Sequence, residues 1–215
     1  MLSLDESFQC LSARPEQMDR LWSQGWRHFG IFFFRYQTAF HNGRFYSVMP
    51  LRIDLEKFSL SRSQKRILAR NQDLKVVIQD TAIDEVRLKL FYNHRNRFKE
   101  NIPSSLYDFL SVMPSSVPCR NRDISVYIDE KLVASSFLDL GKSSTSAVYA
   151  MFDPLESKRS LGIFTMLEAI RYSRELGCRY YYPGYAYHES SFYDYKKNFS
   201  ALEYLDWENG WRTVE

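Results

Sequence analysis

The stretch RDISVYIDEKLVASSFLDLGKSSTSAVYAMF, residues 122–152, alternates β-forming segments with short turns. Asp129, Glu130 and Lys131 interrupt it once, and a polar loop at residues 141–145 interrupts it again. Strands joined by turns this short pair antiparallel with their neighbours. The stretch therefore predicts a three-stranded antiparallel meander over residues 122–128, 132–140 and 146–152.

The residues after this meander predict a helix. In SLGIFTMLEAIRYSREL, residues 160–176, apolar side chains recur every three or four positions, and Gly177 stands where helices commonly end. Further on, the sequence predicts a strand at residues 179–182, a helix at 190–198 and a last strand at 201–205. The order predicts an α/β (α+β) fold with a mixed, mainly antiparallel sheet flanked by helices.

The N-terminal part also predicts helices and strands. Residues 15–24 predict a helix with Pro15 in its first turn, and the aromatic run at residues 28–36 predicts a buried strand. Residues 43–54 predict a second strand, interrupted at Pro50.

The middle of the chain predicts shorter elements. Ser61 and Gln64 have the spacing of a capping box, which predicts a helix over residues 61–70. Thr81 and Asp84 mark the start of another helix. The remaining predictions are a strand at residues 74–79, the end of that second helix near residue 99, and a helix at residues 104–110.

Composition and length exclude several classes of protein. The chain has 215 residues, and 16% of them are aromatic, which excludes a disordered chain. A formal charge of +3 is too small to indicate nucleic-acid binding without local clustering. No apolar run reaches the roughly 20 residues that span a bilayer, and the first ten residues do not read as a signal peptide. We therefore expect a cytoplasmic protein with no membrane association.

Cysteine and histidine patterns give no cofactor. Cys10, Cys119 and Cys178 lie far apart, so they predict buried thiols rather than a disulfide framework or a metal site. The four histidines have no ligand spacing. We predict neither a metal nor a cofactor.

The start of the helix at residue 160 carries a possible ligand loop. The run Arg159-Ser160-Leu161-Gly162-Ile163-Phe164 resembles the R/Q-x-x-G-x-G/A loop of the acetyltransferase superfamily, whose backbone amides hold the pyrophosphate of acetyl-CoA. Phe164 stands where that superfamily has Gly or Ala. An ordinary helix start with a basic residue and a glycine nearby would have the same sequence.

Several phrases occur in an order that resembles one family. They are LWSQGWRHFG at 21–30, PLRID at 50–54 with Phe58, SRSQKR at 61–66, SAVY at 146–149 with FDP at 152–154, RSLG at 159–162, YPGY at 182–185, and Tyr195-Lys196 with Phe199. Together they resemble the aminoacyl-tRNA-protein transferases, the arginyl- and leucyl-transferring enzymes of the N-degron pathway. The resemblance runs from about Met18 to Trp211.

The resemblance implies a fold and a reaction. It implies an acetyltransferase-like (GNAT) core that accepts an aminoacyl ester of tRNA instead of acetyl-CoA. Members of the family usually carry an N-terminal cysteine cluster, to which only Cys10 corresponds here, so we predict no metal or iron–sulfur centre. With no internal repeat or linker, we expect one compact body, in which residues 1–60 pack as a helix and strands on a transferase core at residues 61–215.

Basic residues on the predicted helix at 61–70 are candidates for contact with tRNA. Arg62, Arg66 and Arg70 recur every four residues on one helix face, and Lys65 lies beside them. Like charges at this spacing cost a helix about 0.2–0.5 kcal/mol per pair, so an anionic partner would explain them. A solvated helix face is the alternative. Lys196 is a further candidate for a phosphate contact.

The turn between the meander and the helix is the predicted reaction site. There Asp153 could take a proton from the attacking amine, with Tyr149 beside it, although Asp153 could equally be a turn residue before Pro154. The candidates for binding the acyl group or the acceptor are Arg159, Ser160, Gly162 and Tyr185.

The predicted function is transfer of arginine or leucine from aminoacyl-tRNA to the α-amine of proteins that begin with an acidic residue, marking them for degradation. The partners would be aminoacyl-tRNA and acceptor proteins with N-terminal Asp or Glu. An acetyl-CoA-dependent N-acetyltransferase is the alternative enzyme, and a catalytically inactive relative that binds tRNA or protein is the third possibility. The sequence alone decides neither the transferred residue nor the oligomeric state.

Overall fold

A computed structural model describes residues 4–41, 43–99 and 101–214. The strands are β1 (Asp5–Gln9), β2 (Arg27–Phe29), β3 (Phe32–Tyr36), β4 (Thr38–His41), β5 (Arg44–Asp54), β6 (Lys75–Asp80), β7 (Asn121–Ile128), β8 (Lys131–Leu140), β9 (Ser144–Phe152), β10 (Tyr180–Tyr187), β11 (Leu202–Asp206) and β12 (Gly210–Thr213). The α-helices are α1 (Pro15–Ser23), α2 (Arg62–Arg70), α3 (Glu85–Arg95) and α4 (Leu161–Glu175). Short 3-10 turns span Leu106–Asp108, Pro154–Arg159 and Asp194–Asn198.

Most strands join one mixed sheet in the order β12-β11-β5-β10-β9-β8-β7-β6, and β4 pairs with the outer part of β5. Neighbouring strands along this path are antiparallel except β9 and β10, which are parallel. A smaller antiparallel sheet has the order β1-β3-β2. The predicted mixed, mainly antiparallel sheet with flanking helices is confirmed, and meander, helix and parallel strand follow in the order expected of an acetyltransferase-like core.

The predicted meander and its helix are confirmed because their signals are local. β7, β8 and β9 pair in sequence, and Asp129 takes the positive φ of 51° at the first turn. α4 ends at Glu175, and Gly177 beyond it has a φ of 73°, which only glycine adopts without strain. Apolar side chains of α4 are buried against the centre of the sheet; they include Met166, Leu167 and Ile170.

The aromatic run at residues 28–36 was wrongly predicted as one buried strand. It forms a hairpin in which β2 and β3 pair across a two-residue turn, and Gly30 at that turn has a φ of 52°. Phe33 is fully buried, whereas Phe29 and Phe32 are 38% and 45% exposed. The run is therefore two strands with alternating exposure.

Pro50 does not interrupt its strand, contrary to the prediction. β5 continues through Pro50, which lies opposite Tyr185 of β10. Proline is rare at such interior positions because it has no N–H to donate to the ladder. Pro50 is tolerated because its nitrogen faces away from β10, as does that of Val48 two residues earlier, which donates to the carbonyl of Gln37 at 2.8 Å.

Two predicted helices, at 104–110 and 190–198, are 3-10 turns instead. In the first, the backbone N–H of Ser104 donates to Asp108 at 2.7 Å, and in the second that of Ser191 donates to Asp194 at 3.0 Å. Such local side-chain bonds compete with the backbone bonds of an α-helix. The segments therefore fold as capped turns.

Other boundaries differ from the prediction by a few residues. α3 begins after Asp84, whose side chain accepts from the backbone of Arg87 at 2.8 Å, while Thr81 bonds Asn121 instead. α3 ends at Arg95, well before residue 99. β10 is longer than the predicted strand at 179–182, and β12 was not predicted.

The N-terminal residues pack on the rest of the chain. Asp19 of α1 accepts bonds from the backbone N–H and the hydroxyl of Ser143, both at 2.9 Å, just before β9. β5 lies inside the main sheet, and the division of the chain at residue 60 stays a prediction. Cys119 and Cys178 are buried free thiols as predicted, whereas Cys10 is partly exposed. Within the described ranges, no helix is both long enough and apolar enough to cross a membrane.

Candidate active site

The main sheet opens between its two parallel strands. β9 and β10 pair only over Ser144, Thr145 and Ser146, which lie opposite residues 180–182. Beyond that point β9 stays paired with β8, and β10 stays paired with β5. A cleft therefore separates residues 147–152 from residues 183–187, and we call it the strand cleft.

Arg27 lies where the two strands part. Its guanidinium donates to the hydroxyl of Ser146 and to the backbone carbonyl of Ala147. The side chain keeps some exposed surface, but its charged end is enclosed, and burial lowers the pKa of Arg27. Arg27 makes no ion pair among the described residues, and the nearby carboxylate of Asp139 bonds His28 instead. Arg27 is thus an enclosed charge without a carboxylate partner.

Lys196 brings a second basic side chain to the same place. Its Nζ donates to the backbone carbonyl of Tyr185 at 3.0 Å. A Cβ added to Gly184 would lie 3.3 Å from Lys196 Nζ and 3.8 Å from Arg27 Nη2, so both cations face this glycine. Burial, reinforced by the charge of Arg27, lowers the pKa of Lys196 to about 7. The predicted phosphate contact is therefore an enclosed amine rather than a surface cation.

The position of Lys196 follows from the strands around Tyr185. On the β9 side of Tyr185 the strands have parted. On the β5 side, His188 donates its backbone N–H to Ser47 at 2.9 Å, and antiparallel pairs alternate, so Tyr185 and Pro50 form a non-hydrogen-bonded pair and the Tyr185 carbonyl faces the strand cleft. A buried carbonyl without a donor costs free energy, and Lys196 supplies the donor. The parting of β9 from β10 and the amine of Lys196 are thus complementary features of one site.

Tyr185 lines the cleft with its backbone but directs its ring elsewhere. Its ring meets Phe34 and Tyr36 edge-on, and its hydroxyl donates to the carbonyl of Gly25 at 2.6 Å. Burial raises the pKa of Tyr185. Its ring therefore ties β10 to the N-terminal sheet, and its predicted role in acceptor binding stays a prediction.

Asp153 is engaged inside the protein. Its carboxylate accepts from Lys131 Nζ at 2.7 Å and from the backbone N–H of Leu155 at 3.0 Å, which caps the 3-10 turn Pro154–Arg159. Burial acts to raise its pKa, but these two bonds outweigh burial and lower it. These contacts are those of a structural turn residue, the alternative to a catalytic role, which stays a prediction.

Tyr149 lies in the apolar cluster between α3 and β8. Its ring stacks on Phe109 with a centroid distance of 3.9 Å. The hydroxyl is buried without a hydrogen-bond partner in the part of the chain that is described, and burial raises its pKa. A tyrosine whose pKa is raised holds its proton more firmly, which makes it a poor base.

The predicted ligand loop at the start of α4 is closed by internal bonds. Arg159 makes two bonds to Asp73, at 2.9 and 2.8 Å, and a longer one to Glu156 at 3.3 Å. These bonds direct the guanidinium toward the connection between α2 and β6. Ser160 takes a positive φ of 57°, and a Cβ added to Gly162 would touch the Phe152 ring at 3.4 Å. Arg159 is therefore satisfied without a ligand.

The basic face of α2 is exposed. The predicted capping box is confirmed, with Ser61 and Gln64 bonding each other's backbone N–H at 3.2 and 2.9 Å. Arg62, Lys65 and Arg66 are exposed and make no ion pair within the described ranges. Arg70 donates to the carbonyl of Lys158, next to the 3-10 turn that follows β9. α2 therefore places free cations near the outer end of β9.

A buried polar group that the sequence did not reveal lies behind Arg27. The ligand atoms of His28, Cys119 and Asp139 all lie within 4.8 Å of one another. His28 bonds Asp139 at 2.7 Å and the Gly30 carbonyl at 2.9 Å, and burial raises the pKa of Cys119 well above its usual value. The three side chains satisfy one another, and the expected absence of a metal stays a prediction.

Sequence reasoning did not find Arg27. Arg27 stands in the quoted phrase at residues 21–30, but its contact with Ser146 spans 119 positions. No periodicity or spacing predicts a contact of that range. The order of the quoted phrases was the only signal that pointed to this residue.

Comparison with known proteins identifies the family. The family described as arginine-tRNA-protein transferase, C terminus, matches residues 31–206. The chain belongs to this family. An aspartate/glutamate leucyltransferase of Helicobacter hepaticus is 28% identical over 208 residues, which cover 94% of this chain and 85% of that protein.

Shorter matches have the same name. An aspartate/glutamate leucyltransferase of Acinetobacter baumannii is 32% identical over 162 residues, or 73% of this chain and 59% of that protein. One of Leptospira interrogans is 30% identical over 160 residues, or 72% of this chain and 62% of that protein. The chain thus spans less than two thirds of these two relatives.

Solved structures resemble the chain less closely. FemX superposes with a TM-score of 0.49 at 8% identity, covering 89% of this chain and 65% of FemX. L-PGS from Bacillus licheniformis superposes with a TM-score of 0.48 at 11% identity, covering 74% of this chain and 61% of L-PGS. The fold of this chain is therefore described by its own strand order and register.

Proposed function

We propose that this protein transfers leucine from leucyl-tRNA to the N-terminal α-amine of proteins that begin with Asp or Glu, and that it does so in the cytoplasm. The observation that carries the proposal is the pair of enclosed cations, Arg27 and Lys196, at the strand cleft without a carboxylate partner. Relatives named aspartate/glutamate leucyltransferases support leucine rather than arginine as the transferred residue.

Arg27 suits the recognition of an acidic acceptor. A guanidinium presents several N–H donors in a planar fork that matches a carboxylate. In a cleft partly shielded from water, an unpaired carboxylate and an unpaired guanidinium attract each other more strongly than at the surface. The side chain of an N-terminal Asp or Glu would supply the missing partner of Arg27, which an N-terminal Ala would not.

The chemistry needs little beyond positioning. The ester that joins an amino acid to the tRNA ribose is already activated, and an α-amine with a reference pKa near 8 attacks its carbonyl carbon once it has lost a proton. The reaction forms a peptide bond and releases the tRNA hydroxyl. It requires no cofactor.

The exposed face of α2 is the proposed contact for tRNA. Arg62, Lys65 and Arg66 carry their charges into solvent without ion pairs among the described residues. Arg70 connects this helix to the loop that follows β9. A tRNA backbone lying along α2 would therefore reach the outer end of the strand cleft.

Transfer of a labelled amino acid tests the proposal directly. Leucyl-tRNA and arginyl-tRNA are offered with peptides that begin with Asp, Glu or Ala, and acetyl-CoA serves as a parallel donor. We expect transfer from leucyl-tRNA to the Asp and Glu peptides only. Acetylation alone would identify an N-acetyltransferase, binding of charged tRNA without turnover would identify an inactive relative, and transfer of arginine would correct the donor.

A further inference from the structure

Lys196 is held in an environment that does not favour its charge. Among the described residues its Nζ has one hydrogen bond, to the Tyr185 carbonyl at 3.0 Å, and it lies 5.0 Å from the centre of the Tyr193 ring. Arg27 is its cationic neighbour across Gly184. The nearest acid in its own turn, Asp194, pairs with Lys197 at 2.9 Å instead.

The groups that face Lys196 either lower its pKa or have only a weak effect on it. From β2, Arg27 opposes a second positive charge. The Tyr185 carbonyl of β10 contributes only a dipole. Tyr193, in the same turn as Lys196, stays neutral because burial raises the pKa of its hydroxyl. Burial first, and then Arg27, lower the pKa of Lys196 to about 7. Near neutral pH, a large fraction of Lys196 is an uncharged amine with a free lone pair.

We propose that Lys196 is the proton acceptor of the reaction and takes a proton from the acceptor's α-ammonium before that nitrogen attacks the ester. This inference rests on the proposed function and assigns a catalytic residue within the same cleft. In an N-terminal Asp or Glu the α-nitrogen is three or four bonds from the carboxylate carbon. Because Lys196 Nζ and the Arg27 guanidinium both lie beside Gly184, an acceptor whose carboxylate binds Arg27 can bring that nitrogen to Lys196.

The protons and bonds balance as follows. The α-ammonium gives one proton to Lys196 Nζ, which later releases it to water. The free α-amine then forms a C–N bond to the ester carbonyl carbon, and the bond from that carbon to the ribose oxygen breaks. The departing oxygen takes the second proton of the attacking nitrogen and leaves as the tRNA hydroxyl.

Arg27 couples acceptor binding to this step. An acidic side chain bound to Arg27 cancels the charge that opposes protonation of Lys196. Lys196 then becomes a stronger base when, and only when, an acidic acceptor is in place. Selectivity for Asp and Glu would thus arise in the rate of proton transfer as well as in binding.

The test compares pH profiles of kcat/KM for an Asp-initiated peptide and leucyl-tRNA. In the native protein we expect a rise that levels off near pH 7. In Lys196→Met, kcat/KM at pH 7 should fall by about 100-fold, because positioned acid–base groups contribute about 10²–10⁴. The variant's activity should then follow the titration of the free peptide amine near pH 8. Lys197→Met, one residue away, is the matched control and should keep the native profile, because Lys197 is paired with Asp194 at 2.9 Å and not with the strand cleft.

Lys196→Arg separates proton transfer from charge. Arginine stays protonated and cannot accept a proton at these pH values, so it should be as slow as Lys196→Met. Recovery of native rates in Lys196→Arg would overturn the inference, since charge alone would then suffice. A native pH profile and less than about threefold loss in Lys196→Met would overturn it equally.

The two proposals fail in different ways. If the native protein transfers no amino acid to Asp or Glu peptides, the proposed function fails and this inference with it. If the native protein is active but the Lys196 variants behave as the native protein does, only the role of Lys196 fails. Thermal unfolding and binding of leucyl-tRNA confirm that each variant is folded, and Lys196→Gln replaces Lys196→Met if that variant does not fold.

Discussion

Charged side chains near one end of β9 are ion-paired, whereas those near the other end have no carboxylate partner among the described residues. At the outer end, Asp153 is paired with Lys131 at 2.7 Å, and Arg159 is paired with Asp73 at 2.8 Å. These pairs satisfy the charges within the protein, so a ligand would have to displace them. Asp153 and Arg159, which the sequence marked as candidates for catalysis and binding, therefore stabilise the turn after β9.

At the inner end, Arg27 and Lys196 have carbonyl and hydroxyl partners but no carboxylate in the described part of the chain. Enclosing a charge without an opposite charge costs stability. A fold that retains Arg27 beside an amine whose pKa is lowered to about 7 carries a cost that a ligand can offset, and perturbed groups of this kind cluster at functional sites. An unpaired enclosed charge is therefore better evidence of a site than a familiar motif.

The largest effect that would test this comparison is on Arg27. Arg27→Met should lower kcat/KM for Asp and Glu peptides by about 100-fold or more, since loss of a partly buried charged contact costs about 2–5 kcal/mol. Arg35→Met is the control, because Arg35 pairs with Glu6 near the surface of the small sheet. Equal losses of kcat/KM in the two variants would mean that an unpaired enclosed arginine matters no more to the reaction than a paired one near the surface.

Asp153→Asn should affect stability rather than catalysis. Asparagine keeps the shape but loses the charge that pairs with Lys131, so the free energy of unfolding in urea should fall by about 1–3 kcal/mol. Turnover per folded molecule should stay within about twofold of the native value. A tenfold loss of turnover at unchanged stability would instead assign Asp153 to catalysis, as the sequence suggested.

Lys196 should make stability depend on pH. The folded chain releases the Lys196 proton near pH 7, whereas the unfolded chain keeps it until about pH 10.4. The unfolded state therefore binds more protons between these values, so the contribution of Lys196 to stability rises with pH, by at most about 1.4 kcal/mol per pH unit. Lys196→Met should be more stable than the native protein at pH 7, by a margin that narrows toward pH 9; a constant difference would contradict the lowered pKa.

The smallest expected effect is on the exposed face of α2. Arg66→Glu should flatten the salt dependence of tRNA binding, because each phosphate contact contributes a slope of about 0.9. The fold-loss of tRNA affinity between 50 and 200 mM salt should then be about three- to fourfold smaller in Arg66→Glu than in the native protein. Arg174→Glu, an exposed arginine of α4 without an ion pair in the described ranges, is the control, and an equal change there would indicate general attraction.

Sequence reasoning predicted the elements whose signals are local. The capping box of Ser61 and Gln64, the end of α4 at Gly177 and the meander of β7 to β9 depend on residues close along the chain. Each is fixed by backbone preference and nearby hydrogen bonds, so each can be read from a short window. The family and the fold class followed from the order of such windows.

The candidate site could not be predicted because it depends on contacts of long range. Arg27 reaches β9 across 119 positions, and Lys196 bonds the Tyr185 carbonyl that the parting of β9 and β10 leaves without a strand donor. The partners of Asp153 and Arg159 lie on other elements, so their engagement was equally hidden. Local sequence names the residues available for chemistry, but only the fold decides which of them remain unpaired.

The strand cleft also places an unprotected edge in the middle of a sheet. Residues 147–152 and 183–187 have no strand between them, and such edges pair readily with any extended chain, including that of another molecule. A charged side chain over the edge is one way in which β proteins prevent self-association, and Arg27 covers the Ala147 carbonyl in this manner. We therefore expect the loss of Arg27 to lower solubility as well as activity, because the edge of β9 would lose its charged cover.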